Sequence, residues 1–238
     1  MKKEKSQNEI NLSRYRLVVF DLDGTLYRQG PVRRGMMLDL LLHGGAPGRL
    51  ARLRILRRFR HLRETFAITG AQGFDKPLFH QLAAETGADE VALRALVHEW
   101  MERRPLPRLG QSSVPGAQAL FAALRAQGVK VAVWSDYPVP DKLAALKLTA
   151  DAQIWPGHDG LDALKPHPAG LTLLMNRSGF TPSQTLMVGD RQSHDGAAAD
   201  AAGVDFLLRA DRRSSRPGSR HFYARDFQAL AATLKATQ

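Results

Sequence analysis

The chain places Asp21 and Asp23 two residues apart and follows them with Gly24-Thr25. A hydroxyl at Ser135, an ammonium at Lys165 and two further carboxylates at Asp190 and Asp195 complete a set of reactive types. Each has an ordinary reading on its own. Asp23-Gly24 suits a turn, Ser135-Asp136 the start of one, Lys165-Pro166 a loop, and Asp195 a helix N-cap. Brought to one place, several carboxylates repel one another unless a cation lies between them. Oxygen ligands with a lysine and a hydroxyl nearby form the donor set for magnesium beside a phosphate-bearing group.

Whether they meet depends on the elements that carry them. Leu17-Val18-Val19-Phe20 is an apolar, β-branched run that ends at Asp21. It reads as a strand buried on both faces. Val129 to Trp134 is a second such run, ending at Ser135, and Thr185 to Val188 a third, ending at Gly189-Asp190. Ala152 to Trp155 and Val204 to Leu208 read as further strands, with helical patterns near 115–124, 141–148, 168–178, 195–202 and 226–234. Alternating strands and helices predict a parallel sheet with right-handed crossovers. Chemistry in such a sheet lies beyond the carboxyl ends of its strands, so neighbouring strands would bring all six side chains to one rim.

Between the first strand and this alternation the pattern changes. Tyr27 to Val32 reads as a loop. From about Arg33 to Arg104 the periodicity is helical, in four segments with no strand-like run. The third segment stops at Gly87, and Asp89 caps the fourth. The second carries seven arginines, Arg49, Arg52, Arg54, Arg57, Arg58, Arg60 and Arg63. Arg54, Arg57 and Arg58 fall on the side away from Ile55, Phe59 and Phe66. That side reads as a solvated face, with arginine stems covering apolar surface. The competing reading is attraction of a polyanionic ligand or partner.

The whole-chain figures narrow the class. With 238 residues, 44% hydrophobic and 24% charged, the chain suits one α/β domain with an insert. It has no cysteine, which excludes disulfides, thiolate metal sites and a thiol nucleophile. No apolar run approaches the ~20 residues of a membrane span, and no signal-like segment follows the charged first residues. A cytoplasmic location is expected. Residues up to Arg14 read as a mobile arm. The net charge of +11 favours an anionic partner, a small phosphorylated substrate ahead of nucleic acid, whose stacking aromatics are sparse. Arg212 to Arg220 reads as a basic loop.

The ordered set Asp21-Leu22-Asp23-Gly24-Thr25, Ser135, Lys165-Pro166 and Gly189-Asp190 with Asp195 resembles the haloacid dehalogenase superfamily, in the branch with a helical cap. The likeness runs from about Leu17 to Leu208. It implies a Rossmann-like α/β core at 15–32 and 106–238, a four-helix cap at 33–105, and a magnesium cofactor. It also implies roles. Asp21 would be the nucleophile and Asp23 the general acid/base, with its backbone carbonyl on the metal. Asp190 would bind the metal directly and Asp195 would hold its water shell. Ser135, Asp136, Lys165 and the backbone at Gly24-Thr25 would hold phosphate. Dehalogenases of the superfamily lack an acid two residues after the nucleophile, so Asp23 favours phosphoryl transfer. A phosphatase is expected. A phosphomutase, or a nucleic-acid- or partner-binding protein that keeps the fold, is the alternative. Three residues are singled out for outer roles. They are His167 in the loop after Lys165, and Arg191 and His194 beside the rim acids.

Overall fold

A computed structural model describes residues 10–42, 46–70, 72–211 and 220–236. Six parallel strands form its centre: β1 (Leu17–Phe20), β2 (Lys130–Trp134), β3 (Ala152–Ile154), β4 (Thr185–Gly189), β5 (Asp205–Arg209) and β6 (His221–Ala224). Their order is β3-β2-β1-β4-β5-β6, so β1 lies between β2 and β4. Val18 is level with Val131 on one side and Leu186 on the other. This register sets the ends of the three strands side by side, as the sequence predicts.

Ten helices surround the sheet or stand above it among the described residues. They are α1 (Gln29–Leu42), α2 (Ala46–Thr69), α3 (Asp75–Thr86), α4 (Glu90–Val97), α5 (Leu106–Leu109), α6 (Ala117–Ala126), α7 (Pro140–Leu146), α8 (Ala169–Ser178), α9 (Ala197–Ala202) and α10 (Gln228–Ala236). Strand residues alternate between two cores because successive side chains point to opposite faces. Val18, Phe20, Val133 and Val188 pack with Phe121, Leu124 and Phe227. Val19, Trp134, Met187 and Phe206 pack with Leu171 and Leu174 on the other face.

The helical insert has cores of its own. Phe59, Leu62, Phe74, Leu78, Leu82 and Leu93 bury one another across α2, α3 and α4. Leu40, Leu56 and Trp100 form a second, smaller cluster. Gly87 ends α3 in the left-handed conformation, and the Asp89 carboxylate accepts from Ala92 N at the head of α4.

Four local expectations need correction. Pro31 and Val32 are helical, because α1 begins at Gln29. A proline in the first turn loses no hydrogen bond, since that amide has no partner one turn back. The arm expected through Arg14 divides. Residues 1–9 lie outside the described residues, whereas Leu12 is buried and Arg14 pairs with Asp205 at 2.6 Å. Strand β6 was not foreseen. It is a half-buried edge strand of four residues, too short and too evenly exposed to show alternation. Asp195 does not cap α9. It lies within a wide helical turn, Gln192–Gly196, and accepts from Arg191 N at 3.0 Å. The expected basic loop falls on residues 212–219, outside the described residues, and reaches them only at Arg220. No described helix is long and apolar enough to cross a membrane.

Candidate active site

The rim beyond β1, β2 and β4 gathers the expected side chains. Asp21 follows β1, and its amide donates to Val188 O at 2.8 Å, so the carboxylate is fixed by the sheet itself. Asp21, Asp190 and Asp195 each present a carboxylate oxygen within 4.8 Å of the others. Lys165 is 2% exposed. Its ammonium donates to Asp21, to Asp195 Oδ1 at 2.7 Å and to Trp134 O at 3.3 Å. Burial alone would lower its pKa, but Asp195 and Asp21 together carry it above the ordinary value. Thr25 Oγ1 donates to Asp21 Oδ2 at 2.9 Å.

One lysine does not neutralise three acids. Burial, opposed by Lys165 and reinforced by Asp195 and Asp190, holds Asp21 well above the usual carboxylate range. Burial and then the Asp195 charge push Asp190 up to about 7. Asp190 Oδ1 is buried and finds no hydrogen-bond partner. A cation would relieve both features, because it satisfies the orphan oxygen and favours the charged carboxylates. The donor set is all oxygen, as a hard divalent ion requires. The local backbone is shaped to bring the acids in. At Gly24, with φ of 111°, an added Cβ would fall 2.0 Å from Asp190 Oδ2, and at Gly189 one would fall 2.3 Å from Asp195 Cβ.

Asp23 lies apart from this triad and has its own cation. Lys142 Nζ reaches both of its carboxylate oxygens, at 2.6 and 2.8 Å. The Tyr27 hydroxyl and Ser135 Oγ, the latter at 3.1 Å, also donate to it. Burial would raise the pKa of Asp23, but Lys142, Tyr27 and Ser135 together hold it below the usual range. Ser135 in turn accepts from Tyr137 N at 3.1 Å.

The Asp136 carboxylate accepts from Lys165 N at 3.1 Å and so fixes the lysine loop. The Asp23 carbonyl oxygen, which the resemblance gives to the metal, accepts from the Gln29 side-chain amide. His167 is structural, since its Nδ1 accepts from Ala169 N at the head of α8. Arg191 and His194 both reach Glu64 on α2. Arg191 Nη1 lies 3.0 Å from Glu64 Oε1, and His194 Nε2 lies 2.9 Å from Glu64 Oε2. They tie the helical insert to the rim.

Sequence reasoning missed Lys142, Tyr27, Gln29, Arg63 and Glu64. Lys142 left a trace. It sits in the first turn of α7, where the helix dipole disfavours a cation. A lysine there needs another reason, and Asp23 supplies it. Arg63 donates to Asp136 O and lies over the Tyr137 ring, 4.4 Å from its centroid. A cleft of about 750 Å³ opens between this rim and the insert, lined by the rim acids and by side chains of α1 and α2.

The comparisons agree with this geometry. The family model for haloacid dehalogenase-like hydrolases matches residues 15–203. The chain belongs to that family of hydrolases. Among curated relatives it is similar to the phosphoglycolate phosphatase of Rhodospirillum rubrum, with 33% identity over 204 residues, covering 84% of this chain and 81% of that one. The phosphoglycolate phosphatase of Pseudomonas putida is also 33% identical, over 196 residues, covering 79% of this chain and 67% of that one. Among solved structures, the fold is similar to that of the HAD-hydrolase YfnB from Bacillus subtilis bound to magnesium. The TM-score is 0.65 at 19% identity, covering 93% of this chain and 99% of that one. A 2-haloacid dehalogenase from Pseudomonas syringae pv. Tomato DC3000 gives a TM-score of 0.63 at 22% identity, covering 94% of this chain and 100% of that one.

Proposed function

We propose that the protein is a magnesium-dependent phosphatase that hydrolyses a small phosphomonoester through an aspartyl-phosphate on Asp21. The observation that carries the reading is the triad of Asp21, Asp190 and Asp195, with Lys165 bridging Asp21 and Asp195 and with Asp23 two residues beyond Asp21. The names of its relatives make phosphoglycolate the reference substrate. In this reading residues 33–105 form the cap and 15–32 with 106–238 the core.

Asp21 is the attacking group. One of its carboxylate oxygens forms a bond to phosphorus, and the bond from phosphorus to the alcohol oxygen breaks. Asp23 gives its proton to that leaving oxygen. In the second half Asp23 takes a proton from water as the water oxygen attacks phosphorus, and the Asp21–phosphorus bond breaks to release inorganic phosphate. In the free protein Lys142 holds Asp23 ionised. An incoming phosphate dianion competes for Lys142, which returns Asp23 toward the protonated form that the first half uses. Ser135 and Lys165 are placed to hold the transferring oxygens, and Lys165 keeps Asp21 in position. Asp21, Asp190 and Asp195 would hold magnesium, which would supply the positive charge that lets a carboxylate approach an anionic phosphate.

Asp21→Asn tests the reading. With magnesium present, the wild type hydrolyses p-nitrophenyl phosphate and the variant does not. Turnover retained in the variant overturns the proposal.

A further inference from the structure

The cleft is more than a phosphate site, and its outer wall is of two kinds. One part is apolar, where Met37 is 40% exposed and Met36 and Leu53 are half-buried over the buried Leu40, Leu56 and Trp100. The other part is cationic, from Arg57 and Arg60 of α2 with Arg33 of α1. Other arginines of the insert are paired: Arg58 with Glu85, Arg94 with Asp75, and Arg104 with Glu99. Neither Arg57 nor Arg60 has an acidic partner among the described residues. The one hydrogen bond of the Arg60 guanidinium is to Met101 Sδ, at 3.4 Å. An unpaired guanidinium beside partly uncovered thioethers fits a ligand that is apolar along its length and anionic at its end.

Helix α2 also gives the length of that ligand. Leu53, Arg57, Arg60 and Glu64 are spaced to share one face and all line the cleft. Glu64 is fastened to Arg191, the residue after Asp190, so this end of the face stands at the rim. At 1.5 Å per residue, Arg60 lies about 6 Å and Arg57 about 10 Å farther along the helix. A two-carbon alcohol spans only part of that distance.

We propose, on the basis of the phosphatase reading above, that the substrate is a phosphomonoester whose alcohol has an extended apolar body ending in a second anion, received by Arg60 and Arg57. The anion is a carboxylate or a second phosphate, since a guanidinium pairs with either. Sugar phosphates are the wrong class, because the apolar wall offers their hydroxyls few partners and unpaired hydroxyls are costly to bury.

The test is a ladder of kcat/KM values with magnesium. It uses phosphate monoesters of ω-hydroxy carboxylic acids of two, four and six carbons, the matched n-alkyl phosphates, a six-carbon alkane bisphosphate and glucose 6-phosphate. Values are expected to rise about fourfold per added methylene, as burial of each dictates. The terminal carboxylate should add about tenfold over the plain alkyl ester. Arg60→Gln should erase that added tenfold, and Arg57→Gln should shift the preferred length. The bisphosphate arm tells the two terminal anions apart. A best rate with the two-carbon acid, glucose 6-phosphate matching the six-carbon acid, or an Arg60→Gln loss as large on alkyl esters as on acids each overturns the inference. Hydrolysis of p-nitrophenyl phosphate with a flat ladder sinks the inference alone. A wild type that leaves p-nitrophenyl phosphate intact sinks the phosphatase reading with it.

Discussion

The rim of the sheet and the α2 wall of the insert both carry dense charge, yet they treat it in opposite ways. At the rim the cations are matched to carboxylates under deep burial: Lys165 to Asp21 and Asp195, and Lys142 to Asp23. Along α2, Arg58 and Glu64 are engaged while Arg57 and Arg60 are left over. The difference follows from solvent. A buried charge must be compensated where it lies, so the rim fixes Asp21, Asp23 and Asp195 through several contacts and leaves only Asp190 to a cation. Charges that border an open cleft can stay unpaired, because water serves them until a ligand arrives. The rim is therefore specified for one chemistry, and the wall is left to select what undergoes it.

Substitutions at the two places should then differ in kind. Rim changes lower kcat for every ester, and wall changes act on KM for some. The largest effect is expected for Asp21→Asn, a loss in kcat of about 10⁴-fold or more on any substrate, as for removal of a nucleophile elsewhere. Equal losses from Asp21→Asn and Arg60→Gln across all esters would erase the distinction between the regions.

Asp190→Asn comes next. It removes the carboxylate with the orphan oxygen and should lower kcat/KM about 100-fold or more, the upper range for disturbing a metal's surroundings. It should also change how stability depends on pH. In the metal-free fold Asp190 sits at about 7 against 3.8 when exposed. The folded state then holds a proton that the unfolded state has lost. Its contribution is full below pH 3.8 and is lost as pH rises through about 7. Metal-free wild type should fall in Tm relative to Asp190→Asn across that window, and magnesium should restore it at pH 7. Parallel Tm curves for the two proteins, with no shift on adding magnesium, would contradict the metal assignment.

What the sequence made legible follows the same division. Asp21, Asp23, Ser135, Lys165, Asp190 and Asp195 could be found because each sits at or near the end of a buried strand or in a loop beside one. Buried strands announce themselves as apolar runs, and a parallel sheet aligns their ends. The four helices of the insert were equally plain, down to Gly87 and Asp89. Partners reached across the fold were not. Lys142 and Tyr27 meet Asp23 only once α7 and the start of the insert are in place. The direction of an arginine on α2 depends on how α2 rolls against α3. Arg57 and Arg58 appeared to share a face, yet Arg58 turns to Glu85 and Arg57 to the cleft. Strand β6 failed for a simpler reason, since an edge strand of four half-buried residues carries no burial pattern.

Lys142→Met should have an intermediate effect, and it sharpens the account of the rim. The variant leaves the Asp23 carboxylate with burial and no cation. Its pKa should rise, and the alkaline limb of the kcat/KM profile, set by loss of the Asp23 proton, should move to higher pH. A loss in kcat of about 10- to 100-fold near neutral pH is expected, the range for a mistuned general acid/base. Lys142→Arg keeps the charge and should recover part of the loss. An unmoved alkaline limb in Lys142→Met would show that the lysine only fills space.

The smallest effect is expected at the join between the two regions. Glu64 links α2 to Arg191 and His194, and it is about half exposed. Solvent screens such pairs, so Glu64→Gln should cost less than about 1 kcal/mol of stability. Its position matters more than its strength, because it holds the arginine wall at a fixed distance from the rim acids. Burial would raise the pKa of Glu64, but Arg191 and His194 hold it below the ordinary value. Its contribution is present above pH 4.5 and fades as pH falls through that lowered value. Glu64→Gln should therefore raise KM a few-fold for long anionic esters at pH 7, with kcat on p-nitrophenyl phosphate little changed. Added salt should raise the wild-type KM toward that of the variant, since both weaken the same pair. A KM in Glu64→Gln equal to wild type at low salt would mean that the wall keeps its distance without the bridge, and that rim and wall are held together by Arg63 on Asp136 and Tyr137 and by the apolar contacts around Leu164.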